Sequence, residues 1–350
     1  RIVVESLNNI ALHASATRTR LRIFPKVDLN FLEIEIDEHS SDVGAITRLE
    51  AFLDSLKNVT PQPAAATVSP FRYRVTGNLK RRIYLPPMTD QALALVAAFE
   101  ACGAEAESLP DSDGETLELG RRLTSGKECY PLILTTGDLA RLVKRPDFNP
   151  EKSSFFMPAA NGPCRFGQYH RFHRIVLDEL GCSQMPVYSP DQTETMYQEI
   201  GMVGNDFDRI AWRGVVAIDL LEKKLWETRP YESNAGDADE VYRHYLHKTY
   251  ETLRDRRDVA EPLRQARLAF EDVALNGHRD KPVVGIVGEI YTRANQFSNE
   301  NAIREIEALG GEVWMPPIGE WLLYVNYTAR QQAIARRRYL LLLQVLLKGR

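Results

Sequence analysis

The sequence has too few cysteines for a disulfide-stapled fold. It has four in 350 residues, Cys102, Cys129, Cys164 and Cys182, with no Cys-x-x-Cys pair. A secreted framework is therefore excluded, and free or cofactor-bound thiols in a reducing cytoplasm are expected. It has no run of about 18 apolar residues, so no membrane-spanning helix is expected. A signal peptide with a basic start, an apolar stretch and a small-residue cleavage site is absent. Excess positive charge is lacking too: the formal net charge is -4, which leaves no global field for nucleic acid. A P-loop, a Gly-x-Ser-x-Gly elbow and a His-Glu-x-x-His helix are all missing. The chain opens at Arg1 without a methionine and reads as a piece of a longer protein.

What is present is ordinary globular material. Hydrophobic residues make up 44% and charged residues 26%, which excludes disordered and fibrous classes. Strand and helix patterns alternate along most of the chain. Thr17 to Arg22 mixes small, basic and polar residues and reads as an exposed linker. Phe31 to Ile36 alternates and predicts a strand; Ile46 to Leu56 has helical spacing. Prolines 61, 63 and 70 mark a linker over 61–81.

Strands are then predicted at Arg82–Leu85, Ala104–Leu109, Ser154–Met157 and Met185–Tyr188. Helices are predicted at Asp90–Ala101, from Leu117, over Cys129–Leu142 and over Tyr169–Leu180. Thr89 or Asp90 is the expected N-cap of the first of these. Residues 205–280 read as mostly helical. A further unit follows: a strand at Pro282–Ile286, a helix over Asn299–Ala308 and a strand at Glu312–Met315. Ala329 to Leu347 reads as a last helix.

This order predicts an α/β fold with Rossmann-like parallel sheets flanked by helices, in two or more subdomains. The divisions are 1–60, the end of a preceding α/β unit; 61–81, a linker; 82–204, a domain carrying Cys129 and Cys164; 205–280, helical; and 281–350, a second α/β unit, incomplete. Ligands of such sheets bind at the carboxyl ends of strands.

Two cysteine loops stand out. In Gly126-Lys127-Glu128-Cys129-Tyr130-Pro131 the thiol precedes a helix, whose N-terminus and Lys127 would favour a thiolate. In Asn161-Gly162-Pro163-Cys164-Arg165-Phe166-Gly167-Gln168-Tyr169 the cysteine follows a strand, and Arg165 would offset its charge. The plainer reading of any free cysteine is a small buried hydrophobe. That reading suits Cys102 and Cys182. His170/His173 and His244/His247 are spaced i, i+3 and read as surface histidines; His39 could serve acid–base chemistry, and its plainer reading is part of a turn. The loop Val287 to Asn295 could meet a ligand through Glu289, Arg293 and Asn295, or simply cap a helix. Glu320, Trp321 and Tyr324 read as core.

Several segments together resemble the activase-related members of the 2-hydroxyacyl-CoA dehydratase family. They are Leu85 to Asp90, Ser125 to Pro131, Gly162 to Tyr169, Val287 to Tyr291 and Gly310 to Trp314. Asp37 to Ser40 with Thr47 to Phe52 resembles the end of a preceding unit in the long members. The resemblance spans roughly residues 31–330.

It implies an iron–sulfur protein with Cys129 and Cys164 as ligands of a [4Fe-4S] or double-cubane cluster. Lys127, Arg165 and Glu289 would stand around the cofactor. It implies an ATP-hydrolysing activator of the actin-like kinase fold, in cis or in trans, that delivers a low-potential electron. It also implies a CoA-ester or other small-molecule substrate, a lyase or reductase role, and a homo-oligomer. Such clusters usually take three or four thiolates, so the remaining ligands would come from elsewhere or do not exist. The competing reading is a non-redox module that binds a CoA ester or scaffolds an activator. Zinc in the cysteine loops is a third.

Overall fold

The computed structural model describes residues 19–26, 29–36, 81–160, 164–190, 206–277 and 280–335. His39, the helix expected at 46–56, the linker at 61–80 and Arg336 to Leu347 lie outside these residues. The chain forms two compact units, 1–74 with 161–165 and 75–160 with 166–350.

In the first unit, β1 (Thr19–Lys26) pairs antiparallel with β2 (Leu29–Ile36), from Thr19 opposite Ile36 to Lys26 opposite Leu29. The expected strand at 31–36 is present. The linker expected at 17–22 is corrected: from Thr19 onward it is strand. Arg20, Leu21, Arg22 and Ile23 alternate basic and apolar, which is the period of a strand, and β2 supplies its partner.

The second unit is mixed α/β. Its four strands are β3 (Arg82–Leu85), β4 (Ala106–Ser108), β5 (Ser153–Phe156) and β6 (Val187–Tyr188). They are all parallel, in the order β4-β3-β5-β6. Between them run α1 (Ala92–Ala101), α2 (Gly114–Arg122), α3 (Tyr130–Val143) and α4 (Tyr169–Glu179). The expected N-cap of α1 is displaced: Gln91 takes that place, and Asp90 instead accepts a hydrogen bond from Tyr242 Oη at 2.5 Å. Asp113 caps α2 in a reciprocal box with Thr116, so this helix starts three residues before Leu117.

Alternate side chains of the strands enter two cores, as the two-residue period requires. Ile83, Leu85 and Phe156 pack with Phe99 of α1 and with Phe207, Ile210 and Leu253. Tyr84 and Phe155 face the other way, into Leu139 and Leu142 of α3 and Val176 and Leu177 of α4. Helices therefore cover both faces, as a parallel sheet needs. Phe99 is the centre of the first core, with ring centroids 5.2 Å from Phe156 and 4.5 Å from Phe207. On the other side, α2 and α3 meet backbone to backbone. A Cβ added at Gly120 would lie 2.0 Å from the Ile133 carbonyl oxygen, and one at Gly137 only 1.9 Å from that of Thr116.

The helical region contains α5 (Phe207–Thr228), α6 (Asp237–Arg254) and α7 (Ala260–Glu271). Then comes a two-stranded parallel sheet of β7 (Val283–Gly285) and β8 (Glu312–Trp314), with α8 (Ile290–Ala294) and α9 (Ala302–Ala308) between its strands. The last helix, α10 (Ile318–Ala335), begins eleven residues before the expected start at Ala329. Glu320, Trp321 and Tyr324 therefore ride on a helix, and Tyr324 is exposed, against the expectation of a core cluster. Leu221, Leu225, Trp226 and Phe270 pack on Val313 and Met315 and join the small sheet to the helical region.

Charge adds a second tie. Arg229 donates to Glu307 at 2.7 and 2.8 Å and to Asp239 at 2.9 Å. The Arg229 and Glu307 side chains are only 7% and 8% exposed. No helix among the described residues is long and apolar enough to cross a membrane.

Candidate functional site

The strand order places β4 to one side of β3 and β5 to the other. The chain therefore reverses its direction of sheet growth at β3, and the crevice between the carboxyl ends of β3 and β5 is the topological switch point. The loop after β3 holds Pro86 to Asp90. The chain after β5 runs through Cys164 into α4.

Cys129 is the N-cap of α3, with extended backbone (φ -71°, ψ 149°) and a proline in the first helical turn. Proline there forfeits only an amide that the helix leaves unpaired anyway. Gly126 turns the preceding loop with φ +81°, a conformation that costs glycine nothing. Glu128 ties that loop: it accepts from Ser125 Oγ at 2.9 Å and from the Lys127 amide at 3.0 Å. Desolvation works to raise its pKa, but hydrogen bonds from its own amide, Ser125 and Lys127 outweigh this and hold the carboxyl below its ordinary value. A negative charge thus sits one residue before the thiol, next to the exposed Lys127.

Cys129 Sγ lies 2.6 Å from Tyr169 Oη. Tyr169 is buried at the start of α4, and the Phe166 ring stands edge-on to it at 5.3 Å. The backbone leading to it is compressed: a Cβ at Gly167 would lie 2.2 Å from the Ala160 carbonyl oxygen. One and a half turns further along α3, Thr135 Oγ1 lies 3.2 Å from His173 Nε2. Two polar pairs, Cys129–Tyr169 and Thr135–His173, therefore stitch α3 to α4 inside an otherwise apolar core.

His173 corrects the sequence reading. It is fully buried, edge-on to Phe155 at 5.3 Å, not on the surface. It stands four residues after Tyr169 and so shares its inward face. Burial, with a lesser contribution from His170, pushes its pKa down to about 3, so the ring is neutral. His244 and His247 are exposed, as expected.

Cys164 is exposed, and Arg165, also exposed, opens a short 3-10 turn to Gln168. Glu289 caps α8, accepting from the Thr292 amide at 2.8 Å and its hydroxyl at 3.0 Å. That is the capping alternative for this loop, with glutamate as the cap. Arg293 donates to the Pro316 carbonyl at 3.1 Å. Asn295 donates to the Pro87 carbonyl at 3.1 Å, so the segment after β7 is bound to the loop after β3. Cys182 is buried in the core, and Cys102 is half-buried at the end of α1.

Sequence reasoning missed two polar groups. In the first, Gln91 Nε2 bridges Asp219 at 2.8 Å and Glu222 at 2.9 Å, while Asp219 accepts from the Ile318 and Gly319 amides at 3.1 and 2.8 Å. Desolvation, then Asp90, pushes Glu222 well above the usual carboxylate range. In the second, buried Asp138 accepts from Ser112 Oγ at 3.0 Å. The visible signal for Asp138 was a carboxylate on the apolar stripe of α3, beside Leu139 and one turn from Leu134 and Leu142.

No family model, no curated protein and no solved structure matches this chain. Among the described residues, no three histidine, cysteine or acidic side chains gather as a metal-holding group. Thiols are the right chemistry to hold iron, but Cys129 and Cys164 would be only two of the three or four that a cluster usually takes.

Proposed function

We propose that this chain is an iron–sulfur protein of the 2-hydroxyacyl-CoA dehydratase type, with Rossmann-like sheets, working in the cytoplasm. In this reading Cys129 and Cys164 would hold a [4Fe-4S] or double-cubane cluster together with thiolates from outside the described residues. The cluster supplies low-potential one-electron chemistry when bound. An ATP-hydrolysing activator of the actin-like kinase fold would deliver the electron, and a CoA ester or related small molecule would be dehydrated or reduced.

The observation that carries this reading is the contact of Cys129 Sγ with Tyr169 Oη. It joins the segment 125–131 to the closing residue of the segment 162–169, the more specific of the two matches to the family. Cys129 stands at the N-terminus of α3, and the Tyr169 hydroxyl can donate to its sulfur. Lys127 and Arg165 contribute positive charge to the two loops.

Anaerobic reconstitution of the whole chain with ferrous iron and sulfide tests it. A brown protein that retains iron and acid-labile sulfide is expected, with both lost in Cys129→Ser and Cys164→Ser. A wild-type protein that stays colourless, or a double variant that holds as much iron, overturns the reading.

A second reading has its own support. Cys129 is partly buried against the core of α3 and α4 and its sulfur is already engaged. That suits a structural thiol in a non-redox module that binds a CoA ester or scaffolds an activator. Unchanged partner or ester binding in the double serine variant would favour it.

A further inference from the structure

Asp138 is a buried acid that the cysteine loops do not use. It sits in the middle of α3, where α8 packs against that helix. Its Oδ1 accepts from Ser112 Oγ, while its Oδ2 is buried without a hydrogen-bond partner among the described residues. Tyr291 of α8 is buried too, and its hydroxyl lies among those of Ser112 and Ser298. One carboxylate oxygen of α3 is thus left unmatched beside buried hydroxyls of α8 and the segment after it.

The charged groups around Asp138 offer a carboxylate little relief. Arg141, one turn on, is the nearby cation, but it donates to Thr116 Oγ1 at 2.7 Å and to the Asp111 carbonyl at 3.2 Å, and it pairs with Asp113 at 3.3 Å. Asp111 and Asp113, from the loop before α2, add like charge. Tyr291 faces it from α8, and Tyr130, from the start of α3, acts on Tyr291.

We propose that Asp138 is a proton-operated latch: its neutral carboxyl lets α8 seat on α3, and its ionised form loosens residues 287–300 from that face. The atom balance is one proton, released to solvent on opening and taken back on closing. Burial is the main cause of the shift that makes this physiological, raising the carboxyl to about 7. The folded state therefore holds a proton that the unfolded state gives up near 3.8. The contact is at full strength below about pH 3.8 and weakens as pH rises through about 7. Asn295 on Pro87 remains as a second tie, so loosening is local. The latch is independent of whether the cysteines bind iron.

Hydrogen exchange of the wild-type chain between pH 4.5 and 8.5, corrected for the intrinsic rate, tests it. Peptides covering 287–300 should gain exchange by up to about tenfold per pH unit as pH rises toward 7, the slope of one linked proton, and level off above it, where both states are ionised. Asp138→Asn should abolish the rise. Ser112→Ala removes a donor to the carboxylate and should move the levelling point to higher pH. A flat wild-type profile overturns the proposal. So does the same rise in Asp138→Asn, or, if that variant does not fold, a levelling point in Ser112→Ala that stays put or moves down.

Discussion

Cys129 and Tyr169 share one short contact, 2.6 Å from sulfur to phenol oxygen, and through it the N-terminus of α3 is fixed to that of α4. Removing the phenol oxygen leaves a half-buried thiol with no such partner. Tyr169→Phe should cost about 1 kcal/mol, the usual net worth of a hydrogen bond. Denaturant unfolding will read it. Paired with Cys129→Ser, a double-mutant cycle that returns zero coupling would remove the contact from the account.

The four thiols differ in exposure, and alkylation should follow that order. Cys164 is exposed and Cys182 is buried. In the native protein Cys164 should be modified first and Cys182 last, with Cys129 between them. A time course read by peptide mass spectrometry decides it, and Cys182 reacting as fast as Cys164 would contradict the fold.

His173 makes the fold acid-sensitive. Its ring is held neutral, with a pKa of about 3 against 6.5 when unfolded. The depressed value means the unfolded chain binds the extra proton. Stability is therefore whole above about pH 6.5 and falls as pH drops toward 3. His173→Gln, which does not titrate and can still meet Thr135, should flatten this limb of the stability–pH curve. An acid limb as steep as the wild type's in that variant would assign it to other groups.

The ion pair of Arg229 and Glu307 should reveal itself when halved. Glu307→Gln leaves a buried guanidinium with a neutral partner, and Asp239 remains its nearest carboxylate. A loss of roughly 1.5–3 kcal/mol is expected, the range for a hydrogen bond to a charged group, since Asp239 still compensates the guanidinium. Thermal unfolding measures it, and a loss below about 1 kcal/mol would class the pair with exposed ones.

Gly167 tests the turn that presents Tyr169. Any side chain there strikes the Ala160 carbonyl. Gly167→Ala should destabilise the fold and speed alkylation of Cys129, because Tyr169 would be pushed off it. Unchanged labelling would mean the turn gives way without moving α4.

Much of the first sheet was legible because its signals are local. The strands at 82–85 and 153–156 end in apolar residues, Ile83 to Leu85 and Phe155 to Met157, that stop at proline, and α3 and α4 carry helical spacing. Other elements depend on partners that a single sequence does not display. β1 needed β2 beside it to be more than a basic stretch. The five residues of α8 are too few for a period to show. Of the site residues, the two cysteine loops announced themselves through glycine and proline. Burial of His173 and Asp138 did not, since it is set by α3 meeting α4 and α8, contacts made across 38 residues in one case and about 150 in the other.

The close approach of backbone at Gly120, to Ile133, and at Gly137, to Thr116, carries a consequence for how this chain can change. A larger residue at either position meets a carbonyl of the facing helix, and no neighbouring side chain can be trimmed to make room. The two helices therefore cannot exchange bulk with each other as facing core positions usually do. Drift at one of these sites is answered only by moving a whole helix, and with it the cysteine that α3 begins on.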